Sequence, residues 1–292
     1  MQKILILGAS GMLGHNLFYY LSQNSGHEVL GTVRSAPELS AWLPPGLMKN
    51  LRSAVDINNF ESIVQVIADF KPDSVINCIG IIKQVPAAQD PLATLTINAL
   101  LPHRLALLCQ AAGARLIHVS TDCVFDGAKG KYLESDIADA TDLYGRTKFL
   151  GEVLYPHCVT LRTSIIGHEL KGKNGLVEWL LSQEGPVRGF TKAIFSGFPT
   201  VELSRIIQDY VLTNPDLKGL YHLSAEPISK FELLRLIISR YDKKIELKPD
   251  SGFESDRSLD SSLFRSLTGY TPPSWPQLIE QMFLDYAHYP AK

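Results

Sequence analysis

The chain is poor in cysteine. Only four cysteines occur among its 292 residues, and none forms a Cys-x-x-Cys pair or lies at metal-ligand spacing from a histidine. This pattern favours reduced, mostly buried thiols and predicts no metal site. Because reduced thiols are typical of a reducing compartment, we expect a cytoplasmic protein.

The chain also lacks a strong excess of charge and a long hydrophobic run. Lysine and arginine number 28 and aspartate and glutamate 30, so the net charge is −2 and nucleic acid is not an expected partner. No run of about eighteen apolar residues occurs, so the sequence predicts no membrane partner. Four apolar residues precede the first glycine, which indicates a buried strand rather than a signal peptide.

Short apolar runs alternate with helical patterns in the first half of the chain. The runs are continuous, which is typical of strands covered on both faces, and they span residues 3–10, 28–33, 73–80 and 114–122. The spacing of apolar residues predicts helices over 12–23, 58–70 and 102–112, and a further strand covers 159–164. This alternation predicts an α/β fold with a Rossmann-type, doubly wound parallel sheet.

The pattern becomes looser after about residue 167. Helices are predicted over residues 176–183, 202–213, 229–241 and 275–286, and short strands over 219–223 and 244–247. We therefore predict a cofactor-binding Rossmann domain over residues 1–166. A smaller C-terminal α/β lobe over residues 167–292 would bind substrate, interleaved with the first unit rather than independent of it.

A glycine-rich segment, GASGMLG (8–14), follows the first predicted strand and opens the first predicted helix. Gly8, Gly11 and Gly14 allow a tight turn and let backbone amides approach a pyrophosphate. The N-terminus of the helix adds free amides and a partial positive charge. This context predicts a dinucleotide site.

The end of the second predicted strand indicates which dinucleotide binds. Many NAD sites carry an acidic residue at this place, which bonds the ribose 2′-hydroxyl. Here Arg34 and Ser35 occupy it. An arginine can hold a 2′-phosphate that a carboxylate would repel, so NADP(H) is the predicted cofactor.

A tyrosine and a lysine lie four residues apart in DLYGRTKFLGE (142–152), at the start of a predicted helix. Side chains at this spacing share one helix face, and the Lys148 ammonium group would lower the pKa of Tyr144. Ser120 and Thr121 end the strand before it, where ligand sites of α/β proteins lie. Thr121, Tyr144 and Lys148 are therefore predicted to transfer a proton during hydride transfer to a carbonyl.

These motifs resemble a known family. GASGMLG, STDCVFDG and YGRTKFLGE, in this order, are similar to the extended short-chain dehydrogenase/reductase superfamily, and STD-x-VFDG resembles its dTDP-4-dehydrorhamnose reductase branch. NCIG (77–80), LRTS (161–164), GFPT (197–200) and SLDSSLF (258–264) extend the resemblance over nearly the whole chain.

The resemblance implies roles for individual residues. Besides Arg34, Ser35, Ser120, Tyr144 and Lys148, it assigns cofactor contacts to Gly8, Ser10, Gly11, Met12, Leu13, Gly14, Asp56, Ile57, Asn77, Cys78, Ile79, Gly80, Asn98, Thr163 and Ser164. Substrate contacts fall on Lys83, Thr121, Asp122 and Tyr144.

Two departures from the branch leave the substrate open. Ile165 and Ile166 stand where an aromatic residue usually follows Arg-Thr-Ser, and Lys83 is unusual in its loop. A nucleotide-linked 4-keto-6-deoxyhexose is implied, either dTDP-4-dehydrorhamnose or a UDP-linked N-acetylated analogue, for cell-surface polysaccharide synthesis. An epimerase on the same fold and a non-catalytic NADP-binding regulatory subunit stay open, as does a homodimer. A dehydratase is disfavoured because Asp122 is the single acid beside Thr121.

Overall fold

A computed structural model describes residues 1–35, 39–40 and 42–287. Its strands, in chain order, are β1 (Lys3–Leu7), β2 (Glu28–Thr32), β3 (Leu51–Arg52), β4 (Ser74–Asn77), β5 (Arg115–Thr121), β6 (Cys158–Thr163), β7 (Ile165–Ile166), β8 (Val187–Phe195), β9 (Phe198–Pro199), β10 (Gly219–His222), β11 (Ile228–Ser229) and β12 (Leu247–Asp256). The helices are α1 (Met12–Asn24), α2 (Pro45–Met48), α3 (Phe60–Phe70), α4 (Pro91–Thr94), α5 (Leu101–Ala112), α6 (Leu143–Leu150), α7 (Leu176–Leu181), α8 (Thr200–Ile206), α9 (Lys230–Arg240), α10 (Ser262–Thr268) and α11 (Trp275–Tyr286).

Seven parallel strands form the main sheet, in the order β10-β6-β5-β4-β1-β2-β3. Alternate side chains of β1 enter two different cores: Ile4 and Ile6 pack into one, and Leu5 and Leu7 into the other. Because both faces of the strand are covered, its sequence is apolar throughout. The predicted doubly wound α/β fold is confirmed.

The second half of the chain contributes to the main sheet as well as to its own small sheets. β10 pairs in parallel with β6, so this strand extends the Rossmann sheet. A three-stranded sheet of order β11-β8-β12 and the pair β7-β9 make up the remainder. The division at residue 166/167 stays a prediction, and its last residues, 288–292, lie outside the described part.

The two long strands of the second half differ from the sequence prediction, and the two-residue strands β9 and β11 are also additional to it. β8 was not predicted, and β12 begins where a strand over 244–247 was expected to end. The sequence of β12, LKPDSGFESD, is largely exposed and carries a proline, a glycine and acidic residues. It therefore shows no apolar periodicity, and its pairing with β8 decides its conformation.

A long helix begins earlier than the predicted residue 102. α4, a π-helical segment over Leu95–Leu100 and α5 run together as one helix from Pro91 to Ala112. By length and composition this 22-residue helix could cross a membrane, but 44% of its most apolar window is buried against the rest of the protein. Core helices of globular proteins also have this character.

Candidate active site

The carboxyl edge of the parallel sheet gathers the predicted site residues. The glycine-rich turn follows β1, residues 78–80 follow β4, Thr121 ends β5, and Ser164 follows β6. Ligands of open α/β sheets bind at this edge, where strand order reverses. The order β4-β1-β2 places that reversal between β1 and β4.

The glycine-rich turn is built for close approach of a backbone to a ligand. Gly8 has a φ of +85°, and a Cβ atom on Gly14 would lie 2.1 Å from the Gly8 carbonyl oxygen, so neither position accepts a side chain. Gly11 is the N-cap of α1 and supplies no side-chain cap. The first-turn amides, which include those of Met12 and Leu13, are thus left for a phosphate. This cradle fits the pyrophosphate of a dinucleotide.

Residues after β2 and β3 flank the same cradle. Arg34 is exposed and Ser35 is half-buried. Within residues 1–35, 39–40 and 42–287, the Arg34 guanidinium forms no ion pair with a carboxylate. The Asp56 carboxylate accepts a bond of 2.9 Å from the Asn58 amide, and Ile57 packs against the core beneath it. The exposed Arg34 guanidinium is therefore the cation that was predicted to meet the 2′-phosphate.

The turn after β4 is held by the protein's own hydrogen bonds. The Asn77 side chain bonds His118 Nδ1 at 3.1 Å and accepts a bond from the Ile79 amide, also at 3.1 Å. Asn77 therefore shapes this turn with its side chain, while Cys78 and Ile79 are the residues that face the Gly8 turn. Burial raises the pKa of the Cys78 thiol to about 12.

Asn98 lies in the π-helical segment and fixes the next stretch of backbone. Its Oδ1 accepts from the Ile81 amide at 2.8 Å, and its Nδ2 donates to the Ile81 carbonyl at 3.0 Å. Both ends of this buried amide are occupied by protein. Asn98 therefore fixes the backbone of the loop that begins at Gly80, and its predicted cofactor contact stays a prediction.

Thr121 and Tyr144 lie together at the carboxyl edge of the sheet, and we call this part of the site the mouth. The Thr121 hydroxyl donates to the Asp122 carboxylate at 3.1 Å, and it accepts from the Cys123 amide at the same distance. Tyr144 lies close enough to Thr121 for the threonine side chain to lower its pKa, against the larger effect of burial, which raises it. These contacts bring together the hydroxyl and the phenol that the sequence predicted to meet a carbonyl oxygen.

Lys148 is buried behind the mouth, one helical turn from Tyr144. Its Nζ donates to the Val119 carbonyl at 2.8 Å. Burial lowers the pKa of Lys148 to about 8, while Glu152 and then Cys78 act to raise it. The ammonium form therefore still predominates at pH 7, but it loses its proton at a much lower pH than an exposed lysine does.

The expected effect of Lys148 on Tyr144 is corrected by the structure. Burial raises the pKa of Tyr144, Cys123 raises it further, and Thr121 lowers it. The Lys148 ammonium is engaged by the Val119 carbonyl instead. Tyr144 consequently stays a protonated phenol at neutral pH, which is the form that donates a proton.

Two cations of the second half approach the mouth. Burial raises the pKa of Asp122, and the charges of Arg257 and Lys230 act to lower it. Arg257 is half-buried, and its guanidinium donates to the carbonyl oxygens of Phe125 and Asp126 at 2.8 and 3.1 Å. Sequence reasoning assigned no role to either cation, because neither belongs to a glycine or tyrosine motif.

Lys83 reaches the helix that carries Tyr144. Its Nζ lies 2.9 Å from Asp142 Oδ2, and Asp142 Oδ1 caps α6 by accepting from the Gly145 amide at 2.9 Å. One carboxylate therefore joins the loop after β4 to the first turn of α6. The predicted substrate contact of Lys83 stays a prediction.

Ser120 points away from the mouth into a buried network. Its hydroxyl donates to Glu152 Oε1 at 2.8 Å, and Arg162 forms a bidentate pair with the same carboxylate at 2.7 Å for each contact. Arg162 also contacts His222 Nε2 at 3.2 Å, and burial lowers the pKa of His222 to about 4. We call Ser120, Glu152, Arg162 and His222 the buried network. Its hydrogen bonds occupy the Ser120 hydroxyl that was predicted to face the cofactor.

The end of β6 borders the site on the other side. Thr163 is buried, and its hydroxyl donates to the Ser164 carbonyl at 3.2 Å. The same carbonyl accepts from the Phe198 amide at 2.9 Å. Ile165 and Ile166 then form β7, which pairs with β9. An aliphatic strand thus stands where the branch usually has an aromatic side chain.

Comparison with known proteins agrees with this geometry. The family described as RmlD substrate binding domain matches residues 1–287. The chain belongs to this family. The match confirms the resemblance to the dTDP-4-dehydrorhamnose reductase branch that the motifs indicated.

This RmlD-family chain is similar to proteins with two different names. A dTDP-4-dehydrorhamnose reductase from Aggregatibacter actinomycetemcomitans is 29% identical over 238 residues, which cover 78% of this chain and 74% of that protein. Methionine adenosyltransferase 2 subunit beta from Mus musculus is 26% identical over 319 residues, with 96% and 89% coverage. The chain is thus similar both to a named reductase and to a named subunit.

A solved structure shares the fold of this RmlD-family chain. The dTDP-4-dehydrorhamnose reductase from Bacillus anthracis, crystallised in complex with NADP, superposes with a TM-score of 0.79 at 24% identity. The superposition covers 97% of this chain and 98% of that one.

Proposed function

We propose that the protein is an NADP(H)-dependent reductase of a nucleotide-linked 4-keto-6-deoxyhexose. The observation that carries this proposal is the convergence of Thr121 and Tyr144 at the sheet edge that also carries the glycine cradle, with Lys148 buried behind them. Membership of the RmlD family supports the same reaction class. The role would be synthesis of a cell-surface polysaccharide sugar in the cytoplasm.

NADP(H) is the cofactor that the residues fit. The cradle of Gly8 and Gly14 would take the pyrophosphate, and the exposed Arg34 would meet the 2′-phosphate. When bound, the cofactor supplies a hydride to the substrate carbonyl carbon. Arg34→Asp should weaken NADPH binding at least tenfold more than NADH binding, since it removes a charge-assisted contact worth about 1.5–3 kcal/mol. The control is Arg188→Asp, at an exposed arginine on β8.

The protein's own part in the reaction is to move one proton. Tyr144 donates its phenolic proton to the substrate oxygen, and the Thr121 hydroxyl holds that oxygen in place. Lys148, one turn along α6, is buried with its Nζ bonded to the Val119 carbonyl, and its proposed part is a contact with the cofactor. The raised pKa of Tyr144 keeps the donor loaded before the reaction.

The nucleotide part of the substrate calls for positive charge near the mouth. Arg257 and Lys230 supply it from the second half of the chain, close enough to lower the pKa of Asp122. A diphosphate would add hydrogen bonds that the Arg257 guanidinium does not yet make. We therefore propose that the nucleotide binds between the Rossmann sheet and these two cations of the second half.

The sugar at the site is proposed only as a class. Ile165, half-buried on β7, offers an aliphatic side chain, which suits either a 6-deoxy methyl group or an acetamido methyl group. The test is a screen of NADPH oxidation against dTDP- and UDP-linked 4-keto-6-deoxyhexoses. Oxidation with one of them supports the proposal; an epimerase would convert the sugar without net oxidation.

A non-catalytic subunit is the second candidate. The similarity over 96% of the chain to methionine adenosyltransferase 2 subunit beta favours it. The presence of Thr121, Tyr144 and Lys148 together argues against it, because a pure binder has no need of all three. NADPH binding without turnover of any keto-sugar nucleotide in the screen would favour the subunit.

A further inference from the structure

One exposed side chain joins the loop after β4 to the helix that carries Tyr144. Lys83 Nζ lies 2.9 Å from Asp142 Oδ2, although the two residues are 59 positions apart in the chain. The proposed reaction gives neither residue a step. The contact nevertheless lies directly before the proposed proton donor, since Asp142 is the N-cap of α6.

The root of the loop after β4 is fixed, whereas its tip is exposed. Asn98 bonds both the amide and the carbonyl of Ile81, at 2.8 and 3.0 Å. Ile82, Lys83 and Gln84 follow directly and are exposed. An exposed stretch of backbone with few buried contacts opens easily, so the bond from Lys83 to Asp142 holds the tip of the loop in place.

Asp142 divides its two carboxylate oxygens between this loop and α6. Oδ2 pairs with Lys83, while Oδ1 accepts from the Gly145 amide at 2.9 Å and caps the helix. Tyr144 is the second residue of α6, so Asp142 and Gly145 bracket it. The same carboxylate therefore holds the loop and orients the turn that carries the phenol.

The first turn of α6 packs directly on the backbone that follows Thr121. A Cβ atom on Gly145 would lie 2.2 Å from the Cys123 carbonyl oxygen and 2.5 Å from Ala140 Cβ. The turn and the end of β5 are thus in close contact. A small tilt of this turn would move the Tyr144 phenol relative to the Thr121 hydroxyl.

Asp142 is charged and available to Lys83 at neutral pH. Burial acts to raise the pKa of Asp142, but the Gly145 amide, Lys83 and Arg257 together lower it below its usual value. A group whose pKa lies below that of an ordinary aspartate is ionised at pH 7. The ion pair therefore forms under ordinary conditions.

We propose that Lys83 is a positioning residue for Tyr144 and acts through Asp142. When the ion pair is formed, the tip of the loop and the first turn of α6 are joined, and the phenol stays beside Thr121. When the pair opens, the turn tilts and the phenol is less often in place to donate its proton. The inference rests on the proposed function, because it concerns the geometry of that proton transfer.

The ion pair is exposed enough to open. The side chains of Lys83 and Asp142 are 50% and 36% exposed, whereas the Arg162 and Glu152 side chains of the buried network are 3% and 5% exposed. Exposed pairs contribute little to stability and are screened by salt. Loss of the pair should therefore change local motion and turnover while the fold persists.

The first test needs no substrate. Hydrogen exchange over residues 80–90 of the full-length protein, measured by mass spectrometry, should be about two- to fivefold faster in Lys83→Met, the factor that an exposed pair supplies. Asp142→Asn should give the same change, since asparagine still caps α6 but carries no charge. The control is Lys192→Met, at a similarly exposed lysine paired with Glu254, and it should leave this segment unchanged.

The second test is turnover of the keto-sugar nucleotide selected by the screen. Lys83→Met and Asp142→Asn should each lower kcat by about two- to fivefold with KM unchanged. The double variant should lower kcat no further, because both changes remove the same pair. Lys83→Arg keeps the pair and should restore both kcat and the slow exchange.

Three results would overturn the proposal. The first is unchanged exchange over residues 80–90 in both single variants. The second is a raised KM for the sugar nucleotide in Lys83→Met with normal kinetics in Asp142→Asn, which would make Lys83 a substrate contact instead. The third is an additive loss of kcat in the double variant, which would mean that the two residues act separately. Faster exchange in a protein that turns over no keto sugar would contradict the proposed function alone.

Discussion

Ser120 and Thr121 are neighbours in one strand, yet they belong to different regions. Thr121 joins Asp122 and Tyr144 at the mouth of the site, whereas the Ser120 hydroxyl enters the buried network with Glu152 and Arg162. Side chains of a strand alternate in direction, so one short motif is divided between two tasks. The mouth holds groups that can contact a substrate, and the network holds groups that neutralise each other.

The buried network also affects the pKa of Lys148. Glu152 lies four residues beyond Lys148, just after the end of α6, and its charge opposes the loss of the Lys148 proton. Arg162 neutralises Glu152, however, with both side chains 5% exposed or less. The buried network therefore limits how much Glu152 can stabilise the lysine cation, and burial lowers the Lys148 pKa.

The largest expected effect is a loss of turnover when a residue of the mouth is replaced. Tyr144→Phe removes the proton donor and little volume, so turnover should fall by about a hundred- to ten-thousand-fold while NADPH affinity is retained. Tyr221→Phe, at a half-buried tyrosine of β10, is the matched control. Near-full turnover of Tyr144→Phe would mean that another group supplies the proton.

Breaking the buried network should lower stability instead. Glu152→Gln keeps the shape of the side chain but leaves the Arg162 charge buried without its partner, which costs about 3–5 kcal/mol. Urea unfolding measures the loss. Glu254→Gln, in an exposed pair with Lys192, should cost less than about 1 kcal/mol. Equal losses for the two variants would show that the network contributes no more than a surface pair.

Lys148 should give stability a pH dependence. Its pKa is lowered from 10.5 to about 8, so between these pH values the unfolded chain holds a proton that the folded chain has released. The free energy of unfolding should therefore rise with pH across this window, by about 3 kcal/mol in total. The Lys148→Met variant should lack this rise. Urea unfolding of the unmodified protein and of the variant, from about pH 7 to about pH 11, measures the difference.

The control for this pH series is Lys248→Met, at an exposed lysine of β12. A stability difference between the unmodified protein and Lys148→Met that stays constant with pH would refute the lowered pKa.

The smallest effect should come from the neighbour of Thr121. Ser120→Ala removes one hydrogen bond to Glu152, which should cost about 1 kcal/mol of stability and leave turnover close to normal. Thr121→Val, the matched change at the next residue, should lower turnover instead. A reversed pattern would exchange the roles of the two residues.

Sequence patterns predicted the central strands of the main sheet, though not the short β3, and they selected the residues that the structure brings together at the mouth. Continuous apolar runs such as the one around Val75 and Ile76 arise because both sheet faces are covered. The spacing of Gly8, Gly11 and Gly14 reflects a turn that leaves no room for a side chain. Local rules of this kind are visible in a short window of sequence.

The rest depended on contacts between distant residues. The partner of β12 is β8, about sixty residues away, and the exposed sequence of β12 carries no periodic signal. Glu152 and Arg162 stood inside recognised motifs, but only the fold shows that they pair. Asn98 was assigned to the cofactor, and only its bonds with Ile81 show that it fixes a loop.

The central claim is that hydride passes to a sugar carbonyl at the mouth formed by Thr121 and Tyr144. Its most direct test is NADPH that carries deuterium at the transferable C4 position, incubated with the protein and the 4-keto sugar nucleotide selected by the screen. We expect mass spectrometry to detect deuterium at C4 of the sugar after incubation with the unmodified protein. The Tyr144→Phe variant should give no deuterated sugar after the same incubation time. The claim would be contradicted if the cofactor binds the unmodified protein but no keto sugar acquires deuterium.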